Sequence, residues 1–138
     1  MNARRNWKLF WWTLPAVILF VAAGIFLLLL WIWSFTAKGA YADADYESAV
    51  SSYHRQAQVS EVFPEPWKGP YNEGTATIGL ADYDGAVLLL AEALERVPVA
   101  AVGTDGTKNP EAPECLVRTN LSLAYEGQAD GLRAAGDL

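Results

Sequence analysis

The chain has 138 residues, a formal net charge of −6 and 52% hydrophobic residues. That length leaves room for one small domain once a membrane segment is subtracted. The charge is unevenly spread, because the 103 residues after Phe35 carry seven basic and sixteen acidic side chains, a net charge of −9. A domain this acidic repels the phosphate backbone, so we expect no nucleic-acid partner.

The first predicted element is a transmembrane helix over residues 9–35, which follows a cytoplasmic N-terminus of residues 1–8. The run from Leu9 to Phe35 has no charged side chain. As a helix it rises about 40 Å, enough to cross a hydrocarbon core of about 30 Å in the lipid bilayer. Trp11 and Trp31 are about 30 Å apart along it, as in two aromatic belts. A small-residue segment within the run is where we expect another membrane helix to pack: Ala22, Ala23 and Gly24.

The flanking charges predict the orientation of this helix. Arg4, Arg5 and Lys8 precede it, and by the positive-inside rule they place the N-terminus in the cytoplasm and residues 36–138 outside the cell membrane. A cleavable signal peptide is the alternative, because Ala42-Asp43-Ala44 has the small-x-small pattern of a cleavage site. The apolar run is about twice as long as a typical signal-peptide core, which favours a retained anchor.

Residues 36–138 contain an internal repeat. Ala44–Val50 recurs as Ala81–Val87, with five of seven positions identical at an offset of 37 residues, and Gly136-Asp137-Leu138 is a partial third copy. The motif is typical of a tight turn between two antiparallel helices, in which the aspartate caps the second helix. Its tyrosine is expected to pack in the angle between the helices, and its alanine to let them approach closely. We therefore predict an all-α domain of helical hairpins.

The second copy lies within a longer pattern. A glycine precedes the copy, small and apolar residues follow on the predicted second helix, and a proline ends the pattern: Gly74, then Ala86, Leu90 and Ala93, then Pro98. This order resembles the tetratricopeptide repeat (TPR). The resemblance is strong over residues 70–98, moderate over 36–60 and partial over 113–138, where the first helix is about two turns longer. It implies a TPR-like domain of about 2.5 repeats. The apolar face of the last half repeat would be covered by further repeats or by a partner.

Two connections separate the predicted hairpins. Residues 63–70 contain three prolines and a glycine, which predicts a non-helical segment, and Phe63 and Trp67 are expected to pin it onto the hairpins. The second connection, residues 99–114, is long and polar. Its segment from Asp105 to Asn109 lacks the ligand spacing of a calcium loop.

The remaining residues predict no catalysis. His54 has no second histidine or cysteine with which to share a metal, and we expect it to face solvent. Cys115 is the single cysteine and is expected to be a small buried residue on a helix. We therefore predict that the protein is not an enzyme and carries neither a metal nor another cofactor.

The TPR resemblance implies a protein-binding face formed by the first helices of the repeats. An asparagine suits such a face, because its amide both donates to and accepts from a peptide backbone. The alternative is that Asn72 and Asn120 hold hydrogen bonds between repeats. The residues expected on this face are Lys68, Tyr71, Asn72, Thr75 and Ile78 in the second repeat, and Thr119, Asn120, Leu123 and Glu126 in the third.

Two segments, Glu65–Ala76 and Cys115–Leu121, resemble bacterial membrane-anchored TPR proteins that are encoded beside MoxR-type AAA+ ATPases and von Willebrand A-domain membrane proteins. The resemblance implies a scaffold that mediates protein–protein interaction in a complex of the bacterial envelope, with those proteins as partners. The alternative is a structural single-pass accessory subunit of a larger membrane complex.

Overall fold

The computed structural model describes residues 3–60 and 65–136, and this part of the chain folds into five α-helices without a β-strand. The helices are α1 (Ala3–Ala42), α2 (Tyr46–Ser60), α3 (Lys68–Gly79), α4 (Tyr83–Arg96) and α5 (Pro113–Ala135). The all-α prediction is confirmed for these residues. The chain divides into two compact units, Met1–Ile32 and Trp33–Leu138, so α1 contributes to both.

The first unit is the apolar part of α1. Pro15 lies inside this helix, four positions after Trp11, and most of the large apolar side chains from Trp11 to Ile32 are exposed, up to 83% for Trp12. A helix whose apolar side chains point outward all round is typical of a membrane span. Residues 11–42 of α1 are long and apolar enough to cross a membrane.

The second unit begins with the last part of α1. This part continues through Gly39 to Ala42 and packs on α2 and α3 in a cluster of four buried residues: Ala37, Ala49, Tyr53 and Ala76. The small side chains let the helices approach closely, as the sequence predicts for Ala49.

Two further clusters hold α3, α4 and α5 together. One contains Trp67, Ala93, Val97 and Val117, and the other contains Ala86, Leu90 and Ala124. A Cβ on Gly74 would lie 2.9 Å from Cγ of Leu90, which explains the early glycine by close packing of α3 on α4. Trp67 is buried, as expected, whereas Phe63 lies outside the described residues.

The two copies of the sequence repeat form the same turn. Ala44 and Ala81 both adopt the left-handed conformation, with φ of 59° and 57°, although an L-residue there is disfavoured by roughly 1–2 kcal/mol. Asp45 Oδ1 then accepts a hydrogen bond from the Ser48 amide at 3.2 Å. Asp82 Oδ1 accepts one from the Gly85 amide at 3.0 Å. The predicted aspartate caps are therefore present at both turns.

The third copy agrees as far as it is described. Gly136 ends α5 in the left-handed conformation, with φ of 83°, at the motif position of Ala44 and Ala81. Asp137 and Leu138 lie outside the described residues. With 23 residues against 12 for α3, α5 is even longer than the two extra turns predicted.

One boundary differs from the sequence prediction. We expected residues 63–70 to be non-helical, but Lys68, Gly69 and Pro70 form the first turn of α3. The first N–H groups of a helix have no partner within it, so Pro70 sacrifices no helical hydrogen bond at this position.

Candidate protein-binding site

Three of the predicted site residues meet between α3 and α5. The Asn120 side-chain amide donates to Thr75 Oγ1 at 2.8 Å and to the Tyr71 hydroxyl at 3.3 Å. Thr75 Oγ1 in turn donates to the Tyr71 carbonyl at 2.7 Å. Because the threonine hydrogen is used on its own helix, its lone pair is directed at Asn120. This chain of polar contacts joins two helices that are far apart in sequence.

The Tyr71 ring is the apolar support of these contacts. It is half-buried, packs against both clusters that join α3 to its neighbours and lies 5.7 Å from the Trp67 ring, measured between ring centroids. Burial raises the pKa of the Tyr71 hydroxyl above its ordinary value, although hydrogen bonds from Thr75 and Asn120 act in the opposite direction. The phenol therefore stays neutral at physiological pH and keeps its hydrogen for donation.

The other predicted residues of α3 lie in different surroundings. Lys68 is exposed, pairs with Glu65, and its Nζ lies 5.7 Å from the centroid of the Trp67 ring. Asn72 is half-buried, and no hydrogen bond joins it to another described residue. Ile78 packs inward against the cluster of Ala86, Leu90 and Ala124, so it contributes to the core as much as to a binding face.

On α5, three predicted residues are exposed beside Asn120. The Thr119 hydroxyl donates to the Cys115 carbonyl of its own helix at 2.9 Å. Leu123 is 49% exposed, and Glu126 is also exposed. Leu123 and Glu126 therefore present a leucine side chain and a carboxylate to solvent, whereas Asn72 is half-buried. Cys115 itself is half-buried.

Sequence reasoning missed two glycines that fix how the helices stack. A Cβ on Gly79 would lie 2.5 Å from the ring of Tyr46. A Cβ on Gly127 would overlap the ring of Tyr83 in the same way. Each repeat tyrosine therefore lies over a glycine of the next first helix, α3 or α5. The repeat motif identifies the two tyrosines in the sequence. Their glycine partners are 33 and 44 residues further along the chain, so only the fold identifies those.

Two buried carboxylates were also missed. Glu73 Oε1 lies 2.8 Å from Nδ1 of His54. His54 is exposed, as predicted, but this contact also joins α2 to α3. Glu114 accepts hydrogen bonds from the Ala100 amide at 2.7 Å, Lys108 Nζ at 2.8 Å and Arg118 Nε at 2.9 Å. These donors lower the Glu114 pKa to about 2. The long connection before α5 is thereby fixed to its first turn.

The predicted membrane-packing segment is accessible in the first unit. Ala22, Ala23 and Gly24 are all exposed, and a Cβ on Gly24 would meet no atom within 4 Å. Among the described residues there is no group of three or more histidine, cysteine, aspartate or glutamate side chains placed to hold a metal ion.

The chain matches no protein-family model, no curated protein and no solved structure.

Proposed function

We propose that the chain is a membrane-anchored TPR-type scaffold that binds another protein through the face of α3 and α5. The observation that carries this proposal is the recurrence of one turn. Ala44 and Ala81 share a left-handed conformation, the following aspartates cap α2 and α4, and the next tyrosines lie over Gly79 and Gly127. Two successive hairpins built and stacked by the same contacts are what a repeat array requires.

This stacking supports a binding role for α3 and α5 in particular. Each tyrosine reaches from a turn to the following first helix, and α3 and α5 are also joined directly by Asn120. The half-buried Asn72 and the exposed Thr119 and Leu123 belong to none of the three buried clusters. They are available to a ligand. The described residues place no catalytic arrangement beside them, so we propose binding rather than catalysis.

We propose that the partner is another envelope or membrane protein. The anchor restricts the search to proteins at the same membrane. The resemblance of Glu65–Ala76 and Cys115–Leu121 to proteins encoded beside MoxR-type ATPases makes a von Willebrand A-domain membrane protein the first candidate to test. The acidic second unit, with a net charge of −9 beyond Phe35, favours a partner with a basic contact surface over nucleic acid.

Photo-crosslinking tests the binding face. We would place benzoylphenylalanine at Asn72, Thr119 or Leu123 in the full chain in its own membrane, and at Leu88 or Glu95 on the exposed side of α4 as matched controls. We expect one protein adduct shared by the α3 and α5 positions and missing at the α4 positions. Adducts of equal yield at both sets would refute a specific face.

We also propose the orientation with the N-terminus in the cytoplasm and the second unit outside. A Cys115→Ser background removes the native thiol, and single cysteines then replace Asn2 or Thr107. An impermeant thiol reagent added to intact cells should label the Thr107 position and leave the Asn2 position unlabelled until the cells are opened. Labelling in the reverse order would overturn the orientation.

The second candidate is a structural single-pass subunit of a larger membrane complex. It is favoured by the exposed small residues Ala22, Ala23 and Gly24 of α1, since such residues let membrane helices approach closely. Benzoylphenylalanine at Ala23 distinguishes the two functions. Strong adducts at Ala23 with none at Asn72 or Leu123 would favour the structural subunit over the scaffold.

A further inference from the structure

Asn120 and Asn72 occupy corresponding positions of α5 and α3, yet their surroundings differ. Asn120 donates its amide hydrogens within the protein, to Thr75 Oγ1 and to the Tyr71 hydroxyl. Asn72 has no such partner among the described residues. A site built to grip a ligand with both asparagines would leave both amide groups free to donate.

The groups that receive the Asn120 hydrogens are themselves held in place. Thr75 Oγ1 is oriented by its own donation to the Tyr71 carbonyl at 2.7 Å, and the Tyr71 ring packs against two buried clusters. On the other side, Asn120 lies between Val117 and Ala124, one helical turn from each, and both are fully buried. The contact therefore connects a fixed point on α3 to a fixed point on α5.

We propose that Asn120 is a positioning residue that sets the spacing between α3 and α5, and that Asn72 is the ligand-facing amide of the pair. The inference rests on the proposed binding face and assigns different roles to its two asparagines. With its hydrogens used on α3, Asn120 offers a ligand its carbonyl oxygen alone. At Asn120 the binding face therefore accepts a hydrogen bond from the ligand, for example from the backbone N–H of an extended peptide. It does not donate a hydrogen bond there.

The spacing is measured directly by pulsed electron paramagnetic resonance on the full chain in detergent. In a Cys115→Ser background, spin labels are attached to cysteines at the exposed positions Lys68 on α3 and Thr119 on α5. Asn120→Leu keeps a similar side-chain volume and removes both hydrogen bonds. Thr75→Val removes one of the two acceptors on α3 and leaves the Tyr71 hydroxyl. Asn72→Ala is the matched control, because it changes an asparagine on the same face without touching the contact.

We expect Asn120→Leu and Thr75→Val each to shift the distance distribution to longer values or broaden it. The double variant should show no change beyond that of Asn120→Leu, because the hydrogen bond that Thr75→Val removes is one of the two that Asn120→Leu removes. Asn72→Ala should leave the distribution as in the parent chain. Unchanged distances in both Asn120→Leu and Thr75→Val would overturn the positioning role, even if their melting temperatures fell. So would an equal change in Asn72→Ala. No outcome depends on a ligand, so failure here leaves the photo-crosslinking test of the binding face intact.

Discussion

The two units of the chain place their apolar side chains in opposite ways. In α1 most of the large residues from Trp11 to Ile32 point outward, with Phe20 75% and Leu27 58% exposed, although Leu30 is buried. Among the described residues of the second unit, six of the eleven buried hydrophobic side chains are alanines. Large apolar side chains are tolerated outward where the solvent is lipid, while close contact between helices needs small ones. An apolar residue must therefore be interpreted by its size and its surroundings together.

A charge substitution tests whether the outward face of α1 contacts lipid, and we expect it to have the strongest effect of the variants proposed. Leu27→Arg puts a charge at mid-span, which costs about 3 kcal/mol relative to leucine in membrane insertion. Leu88→Arg is the matched control, because Leu88 on α4 is also exposed, at 73%, but in the second unit. We expect Leu27→Arg to lower the fraction of chain that resists alkaline extraction from membranes and Leu88→Arg to leave it unchanged. Equal behaviour of the two variants would contradict a lipid-facing α1.

The next effect tests the small-residue core. Ala86 is fully buried beside Leu90 and Ala124, so Ala86→Trp overpacks the contact of α4 with its neighbours at a cost of about 1–3 kcal/mol or more. Leu88→Trp, two residues along the same helix, has open space and should change stability by less than about 0.5 kcal/mol. Thermal melting of the second unit's helical signal in detergent measures both. An unchanged melting temperature for Ala86→Trp would show that α4 does not pack as described.

These two regions also differ in how far the sequence predicts them. The long apolar helix α1 follows from composition, because helix is the structure that satisfies the backbone of an uncharged run of this length if it lies in lipid. The turns at Ala44 and Ala81 follow from the internal repeat. The contacts between repeats cannot be predicted from the sequence in this way. Tyr46 packs on Gly79 and Asn120 donates to Thr75, and these residues are too far apart along the chain for a local pattern to pair them. The choice between a ligand amide and a structural amide at Asn120 was open in the sequence for the same reason.

A smaller effect separates two kinds of glycine. Gly79 lies under the Tyr46 ring, whereas a Cβ on Gly131 would meet no atom within 4 Å. Gly79→Ala should therefore destabilise the second unit by about 1–2 kcal/mol through overpacking. Gly131→Ala in the open part of α5 should stabilise it by up to about 1 kcal/mol, because alanine favours helix. Chemical denaturation of the two variants beside the parent chain measures the difference. If Gly79→Ala also stabilised the unit, the tyrosine–glycine contact would be wrong.

The last and smallest effect is a pH dependence confined to the connection before α5. Glu114 is buried beside Lys108, Arg118 and the Ala100 amide, and these donors lower its pKa from 4.5 to about 2. The folded state therefore keeps Glu114 ionised at pH values where the unfolded chain binds a proton. Its contribution to stability is complete above about pH 4.5 and is lost as the pH falls towards 2. Glu114→Gln lacks this contribution, so its stability deficit against the parent chain should be largest near pH 6 and shrink steadily towards pH 2.

Glu111→Gln is the control for the substitution itself, because Glu111 is an exposed carboxylate three residues earlier and takes no part in the hydrogen bonds of Glu114. Urea unfolding of the full chain in detergent, repeated between pH 6 and pH 2, gives the three curves. A Glu114→Gln deficit that stayed constant or grew on acidification would mean that Lys108, Arg118 and the Ala100 amide do not hold the carboxylate as described. In that case Glu114 would not fix the long connection to the first turn of α5.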